Sequence, residues 1–302
     1  PVEKQAIPIP GSTDGPWLVG TKDQLPLWSN LLDAASDIGA YTARKGITTD
    51  ANGIFFVSAS KTTHKGITRI ANDPNNGRRA LPRQIADVEN TFLFPLLRGR
   101  EISRFNASPA VNSLVIVPQT GMFGDEELPA KSPRLFQFLA QFKNILETRS
   151  SYRRFQQGKP FWSIWTVGPY TFAPYKVVWK EMSGSKFAAA YIGSETLPDG
   201  TCKVVVPDHK VYFIPVETQE EAAYLTAFLN ATDVSSAISA YASALSLGTS
   251  VVEYLKIPRY DQSNESMAKL VIMGKRFSTG EQPSLADEQR MNDLVHQIVS
   301  QA

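Results

Sequence analysis

Residues 113–149, SLVIVPQTGMFGDEELPAKSPRLFQFLAQFKNILETR, hold a change of period around which the rest of the chain is arranged. SLVIVP (113–118) is a β-branched apolar run of strand length, closed by a proline. From Ser132 onward Leu135, Phe138, Leu139, Phe142, Ile145 and Leu146 recur at helical spacing. Ser132 is a residue of N-cap type and Pro133 suits the first turn. The spacing therefore predicts one helix ending near Arg149.

Upstream, residues 1–26 are rich in proline and glycine and predict an irregular lead-in. Residues 27–38 predict a short helix with Leu27, Leu31, Leu32 and Ala35 on one face. A strand follows at 53–59, then turn chemistry in NDPNNGRR (72–79), with Arg78 and Arg79 on its shoulder. Downstream, 175–182 and 203–216 predict strands, the second broken by a Pro-Asp turn. Thr218 and Glu221 have the spacing of a capping box, ahead of Ala222, Leu225, Phe228 and Leu229 on an apolar face. Residues 234–248 predict another helix, ending at Gly248. After 261 the composition turns polar. Ser284 then predicts the start of a last helix carrying Leu285, Leu294, Val295, Ile298 and Val299. The expected organisation is a lead-in over 1–40, a principal unit over 41–261 and a closing segment over 262–302.

The chain has 302 residues, 42% apolar and 20% charged, a composition that excludes a disordered protein. It opens on Pro1 without a signal pattern, which fits a piece of something longer. No apolar run is long enough to span a bilayer. The single cysteine, Cys202, excludes an internal disulfide, fits a cytoplasmic setting and is expected as a small buried hydrophobe. The net charge of +2 conceals a segregation. Residues 41–104 hold eleven Lys/Arg against five Asp/Glu, and residues 131–186 hold ten against two. Two basic blocks in an acidic frame are the footprint of a polyanion ligand.

Catalytic signals are missing. His64, His209 and His296 lie far apart, without metal-ligand spacing, and His64 is expected on the surface. The phosphate-cradling glycine loops and the Gly-x-Ser-x-Gly elbow do not occur. Binding chemistry is present instead. LLRGREISRF (96–105) places Arg98, Arg100 and Arg104 within seven positions. Arginine forks suit phosphates and the guanine edge, although the same arginines can brace carboxylates internally. ARKGITTDANGIF (43–55) adds Lys45, Thr48, Thr49 and Asn52 in a loop. SYRRFQQGKPFW (151–162) adds Arg153 and Arg154 among Tyr152, Phe155, Phe161 and Trp162, which either stack on bases or fill the core.

These pieces come in an order: ARKGITTDANGIFFV, FLFPLLRGREISRF, the Pro-started helix ending LETRSSYRRF, YKVVWKEM, AAYLTAFLNATDV and VVEYLKIP. Together, over residues 41–260, they resemble the target-recognition domain that accompanies the catalytic domain in bacterial N6-adenine DNA methyltransferases of the TaqI-like and Eco57I-like type. That family shows a GI-T-G-N opening, an LLRGRDI-RY element, an aromatic-Pro-Lys-Ile strand and an LLNS…L-IP close. This chain departs in having Asp50 where glycine is usual, Lys176 preceded by Tyr175 rather than proline, and Ala231 for serine. The family's NPPY tetrapeptide and its cofactor-binding glycine motif are not among these residues.

The resemblance implies an α+β fold, a curved mixed sheet with packed helices and a C-terminal helical segment. It implies recognition of double-stranded DNA at a particular sequence. Methyl transfer from S-adenosylmethionine would then belong to a catalytic domain in the same polypeptide or another chain. Carried onto matching positions, Arg98, Arg100 and Arg104 become the first candidates for DNA contact, with Gly99 supplying a turn between the forks. Lys45, Thr48, Thr49 and Asn52 follow, and Arg78, Arg79, Arg153 and Arg154 become candidate phosphate clamps. The module also resembles the repeated domains of type I specificity subunits, but one copy is present, without a heptad spacer. Two other classes remain: a protein-interaction domain whose basic surface meets an acidic partner, and a self-sufficient enzyme with an unfamiliar site.

Overall fold

The computed structural model describes residues 3–34, 41–77, 80–181, 186–242 and 248–301, with 61–63 as backbone only. Two sheets carry the fold. The larger has six strands in the order 206–207, 93–97, 113–116, 56–64, 67–72, 85–89. All its pairings are antiparallel except Val206–Pro207 beside Leu93–Leu97. The smaller has four antiparallel strands in the order 189–192, 175–180, 211–216, 44–45. With helices packed against both, the architecture is the α+β expected, and the one parallel pair makes the larger sheet mixed.

Strand Tyr175–Lys180 shows why its sequence is nearly continuously apolar. Val177 and Trp179 face a helical core, whereas Val178 joins a second cluster with Leu97, Val211 and Phe213 that links the two sheets. A strand covered on both faces has no solvent side to mark with polar residues. Helix Gln219–Asn230 is the same case in another period: every residue from Ala222 to Asn230 is buried. Its neighbour, helix Glu265–Ser278, crosses it so closely that a Cβ on Gly274 would fall 2.2 Å from the Ala223 carbonyl oxygen.

That helix lies in the stretch expected to be merely polar; its buried stripe of Met267, Leu270, Val271 and Phe277 is diluted by Lys and Ser. It shares one core with helix Leu285–Gln301, the Gln5–Pro8/Trp17–Gly20 hairpin and helix Gln24–Asn30. The first helix thus begins earlier than the spacing predicted. It buries Leu25 and Trp28 and leaves Leu27 46% exposed, because the amphipathic phase is set by Trp28. Ala35 lies outside the described residues, as do residues 243–247 of the helix expected to reach Gly248; the described part runs Thr232–Ala242.

The helix that changes the period is broken into Pro133–Ala140 and Lys143–Glu147. Its stripe is buried as predicted at Leu135, Phe138, Leu139, Phe142 and Leu146. The cap differs. Ser132 offers no side-chain cap; the Glu89 carboxylate accepts from the Arg134 and Leu135 amides at 3.2 and 3.0 Å. An anion from a neighbouring strand answers the helix dipole there, which sequence spacing does not reveal. Thr218 and Ser284 do cap as expected, accepting from Glu221 and Asp287 amides. Leu285 is 90% exposed, since as the first helical residue it points away from the packed face.

Candidate nucleic-acid interface

Strand Leu93–Leu97 is wholly buried, and Arg98 is where the chain leaves the core. The Glu101 carboxylate accepts from the Arg98 amide at 2.8 Å and closes a single 3-10 turn, Gly99–Glu101. The Arg98 guanidinium lies over the Phe56 ring, 5.2 Å from its centroid, and its buried Nε has no hydrogen-bond partner among the described residues. The Arg100 side chain is 70% exposed, and its nearest carboxylate oxygen, on Glu101, is 3.7 Å away. Gly99 does not use the conformational freedom expected of it: its φ is not positive, and a Cβ there would come no closer than 3.4 Å to Lys210.

Arg104 behaves differently. Its guanidinium grips both oxygens of Glu288 on the last helix and donates to the Asn230 carbonyl at 2.6 Å. Asn230 in turn exchanges two hydrogen bonds with the backbone of Ala189. The third arginine of the element is therefore a brace between the helical core and the small sheet. Its guanidinium is engaged by Glu288 and Asn230 in this arrangement.

Arg98 and Arg100 open instead onto a groove of about 450 Å³, together with Arg83, Asn75, Asn112 and Ser113. Among the described residues neither Arg83 nor Arg98 makes an ion pair. The one acidic residue in the groove's described lining, Asp73, accepts from the Asn75 amide. Arg83, Asn75 and Asn112 were missed in the sequence; only the excess of Lys/Arg over 41–104 hinted at Arg83. On the far side of the arginine turn, Arg100 continues onto Lys180 and Lys210. Lys45 and Lys210 share Glu181, at 3.2 and 2.5 Å. Burial works to raise the Glu181 pKa, but the two ammonium groups overcome it and hold the carboxyl below its ordinary value.

The GITTDAN loop is built to hold its own shape. A Cβ on Gly46 would fall 2.1 Å from the Asp208 carbonyl oxygen, so the loop and the Pro207–Lys210 turn meet backbone to backbone. Thr49 is buried, and its hydroxyl donates to Asn52 Oδ1 at 2.6 Å while accepting from the Ala51 amide. Thr49 is thus a loop former, out of reach of a ligand. Asp50 adopts φ of 51°, the left-handed conformation in which glycine is cheapest and Asp or Asn next best. That is the position at which the resembled family carries glycine. Asp50 also adds a function that glycine lacks: its carboxylate accepts from the Ser151 amide at 2.8 Å and the Ser150 hydroxyl. Desolvation opposes its ionisation, yet these bonds keep its pKa below the usual carboxylate value.

Arg149 locks this loop from beneath. Wholly buried, it donates to the carbonyls of Leu146, Thr49, Phe161 and Ser163 and stacks over the Phe55 ring. Above it, Thr48, Asn52 and Ser150 line a second cleft of about 450 Å³, bounded by Asn76, Leu81 and His209. The turn 72–77 separates this cleft from the arginine groove and is shared by both. Asn72 fixes that turn, donating to the Gly53 and Pro82 carbonyls and accepting from the Gln84 amide.

Arg153 and Arg154 are exposed on a wide turn, Tyr152–Gln156, beside Phe155, which stacks on Trp165 at 4.6 Å. Phe161 and Trp162 belong to the core, and Tyr152 is buried with its hydroxyl on the Lys159 carbonyl, so of the four aromatics only Phe155 faces solvent. Arg78 and Arg79 lie outside the described residues. Cys202 is exposed on an edge strand, contrary to the buried position expected, because that two-stranded ribbon has a solvent face. His64 is exposed at a strand end, as expected. Lys176 is fully buried with its ammonium on the Ala173 carbonyl, and burial brings its pKa down to about 7.

Among the described residues no group of three or more His, Cys, Asp or Glu is placed to hold a metal, and no helix is long and apolar enough to cross a membrane. The site this leaves is a cationic, amide-lined surface on loops carried by two sheets. No protein-family model matches the chain. It is 31% identical over 149 residues to the type II methyltransferase M.NspV of Nostoc sp.. The match takes in 49% of this chain and 29% of that protein, so the chain spans under a third of the relative's length. Over about half its residues, then, the chain is related to part of a type II methyltransferase.

Proposed function

We propose that this chain is the target-recognition part of an S-adenosylmethionine-dependent N6-adenine DNA methyltransferase of a restriction-modification system. In this reading it binds double-stranded DNA and selects a site for a catalytic domain supplied by the same polypeptide or another chain. The observation that carries it is the groove of Arg83, Arg98 and Arg100 beside Asn75, Asn112 and Ser113, in which cations with at most one long carboxylate contact among the described residues, Arg100 to Glu101, adjoin amides and a hydroxyl. Phosphates are held by the first group and base edges are read by forks and amides, so both halves of duplex recognition are within one groove. Arg153, Arg154 and Lys180 extend the positive surface as phosphate contacts. Thr49 and Arg104 drop out, being committed to the fold.

The test is selection from a randomised duplex pool at moderate salt, followed by titration of the enriched sequence. Target recognition predicts enrichment of a short motif and an affinity that falls steeply with salt. Binding without enrichment would reduce the role to a general DNA grip. Failure to bind any duplex, alone or with a methyltransferase catalytic domain restored, would shift the basic surface to an acidic protein partner.

A further inference from the structure

The second cleft differs chemically from the groove beside it. Its described lining holds no lysine or arginine, whereas the groove holds three arginines. Ile54, Leu81 and Ile145 give it apolar walls, and Thr48, Asn76 and His209 give it polar ones. Two of those polar groups are incomplete: Asn76 Nδ2 and His209 Nδ1 are shielded from solvent and have no hydrogen-bond partner among the described residues. A buried polar atom without a partner is costly, and a ligand atom that reaches either one from the cleft would remove that cost. Burial holds the His209 imidazole below its ordinary pKa, against the pull of Asp208, so at neutral pH it enters such a bond uncharged. Asp50, the cleft's carboxylate, already accepts from Ser150 and Ser151.

A ligand suited to the described walls has flat apolar faces and an edge of donors and acceptors. A volume of about 450 Å³ is within the range of small-molecule sites. Phosphate chemistry is satisfied one turn away, on the other side of residues 72–77. We infer that the cleft receives an extrahelical nucleobase of the DNA strand whose backbone lies in the arginine groove. This rests on the reading that the chain binds duplex DNA. The walls formed by Leu81 and Ile145 would sandwich the ring, with Asn76 and His209 at its hydrogen-bonding edge. The loop is suited to such a load, since Arg149 and the left-handed Asp50 hold it rigid before anything binds.

The experiment uses the full chain and three duplexes of one flanking sequence: fully paired, with a single bulged 2-aminopurine, and with a bulged abasic residue. The abasic bulge bends as easily but has no base to insert. Affinities are read by anisotropy, and 2-aminopurine fluorescence reports on the base's surroundings. The expected result is at least tenfold tighter binding of the 2-aminopurine bulge than the abasic one, with a fluorescence change on binding. That ratio should fall toward one in His209→Phe, which keeps the ring's shape, and in Leu81→Trp, which fills the cleft. Equal affinity for the two bulges in the wild-type chain, with paired duplex bound normally, would overturn the nucleobase cleft and leave duplex recognition standing. No binding to any of the three would overturn both.

Discussion

The two ends of LLRGREISRF sit in opposite surroundings. At the helical end, cations are paired: Arg104 with Glu288, Lys275 with Glu220 and Arg276 with Asp287. At the loop end, Arg83 and Arg98 make no ion pair among the described residues, and Arg100 makes only a long one with Glu101. Arginines six positions apart thus do different work. What separates them is whether the fold supplies an anion, and for Arg104 that anion arrives from residue 288. A run of basic residues in the sequence is evidence of a surface only after such partners have been subtracted.

The largest effect is expected at the open end. Replacing Arg83, Arg98 and Arg100 together by alanine should weaken duplex binding by at least about 100-fold, since each arginine fork on a base edge is worth about 1–3 kcal/mol and each 1.4 kcal/mol is about tenfold. The slope of log affinity against log salt should become shallower by about 0.9 for each phosphate no longer neutralised. Anisotropy titrations at several salt concentrations would show both, and an unchanged slope would mean that the groove does not meet the backbone.

At the braced end, Arg104→Ala should cost about 2 kcal/mol of stability in urea denaturation, because it strips a charge-assisted pair and leaves the Asn230 carbonyl short of a donor. A smaller consequence concerns pH. Desolvation would raise the Glu288 pKa, but the Arg104 bonds outweigh it and leave it below its unfolded value. The pair's stabilisation is present above the unfolded pKa and lost as pH falls through the folded one. Wild-type stability should therefore fall more steeply with acid than that of Arg104→Ala, as equilibrium melts between about pH 6 and 3 would show.

The smallest effect is expected at the loop. Asp50→Ala must hold a left-handed backbone with a Cβ and also loses the Ser151 bond, whereas Asp50→Gly loses only the bond. The glycine variant should be the more stable by about 1 kcal/mol. Reversed order in thermal melts would show that the backbone at Asp50 is not left-handed.

Much of the fold was legible because its signals are local. The stripe from Leu135 to Leu146, the Thr218 and Ser284 caps and the strand over 175–180 depend on residues within a turn or two of each other. What escaped depends on distant partners. Glu89 caps a helix more than forty residues away, Arg149 reaches back to the Thr49 carbonyl, and Gly274 is shaped by Ala223. The site divides along the same line. Arg98 and Arg100 were legible as a motif, but Arg83 and Asn112 join them only through sheet pairing, and Arg104 leaves them through Glu288.

The most direct measurement sets Arg98/Arg100→Ala beside Arg104→Ala, each assayed for duplex affinity and for urea midpoint under conditions where all proteins are folded. The first variant should lose affinity at least tenfold and keep its midpoint; the second should lose midpoint and keep its affinity. An Arg104→Ala protein that folds but no longer binds would place that arginine on the DNA and contradict the division between an open and a braced end.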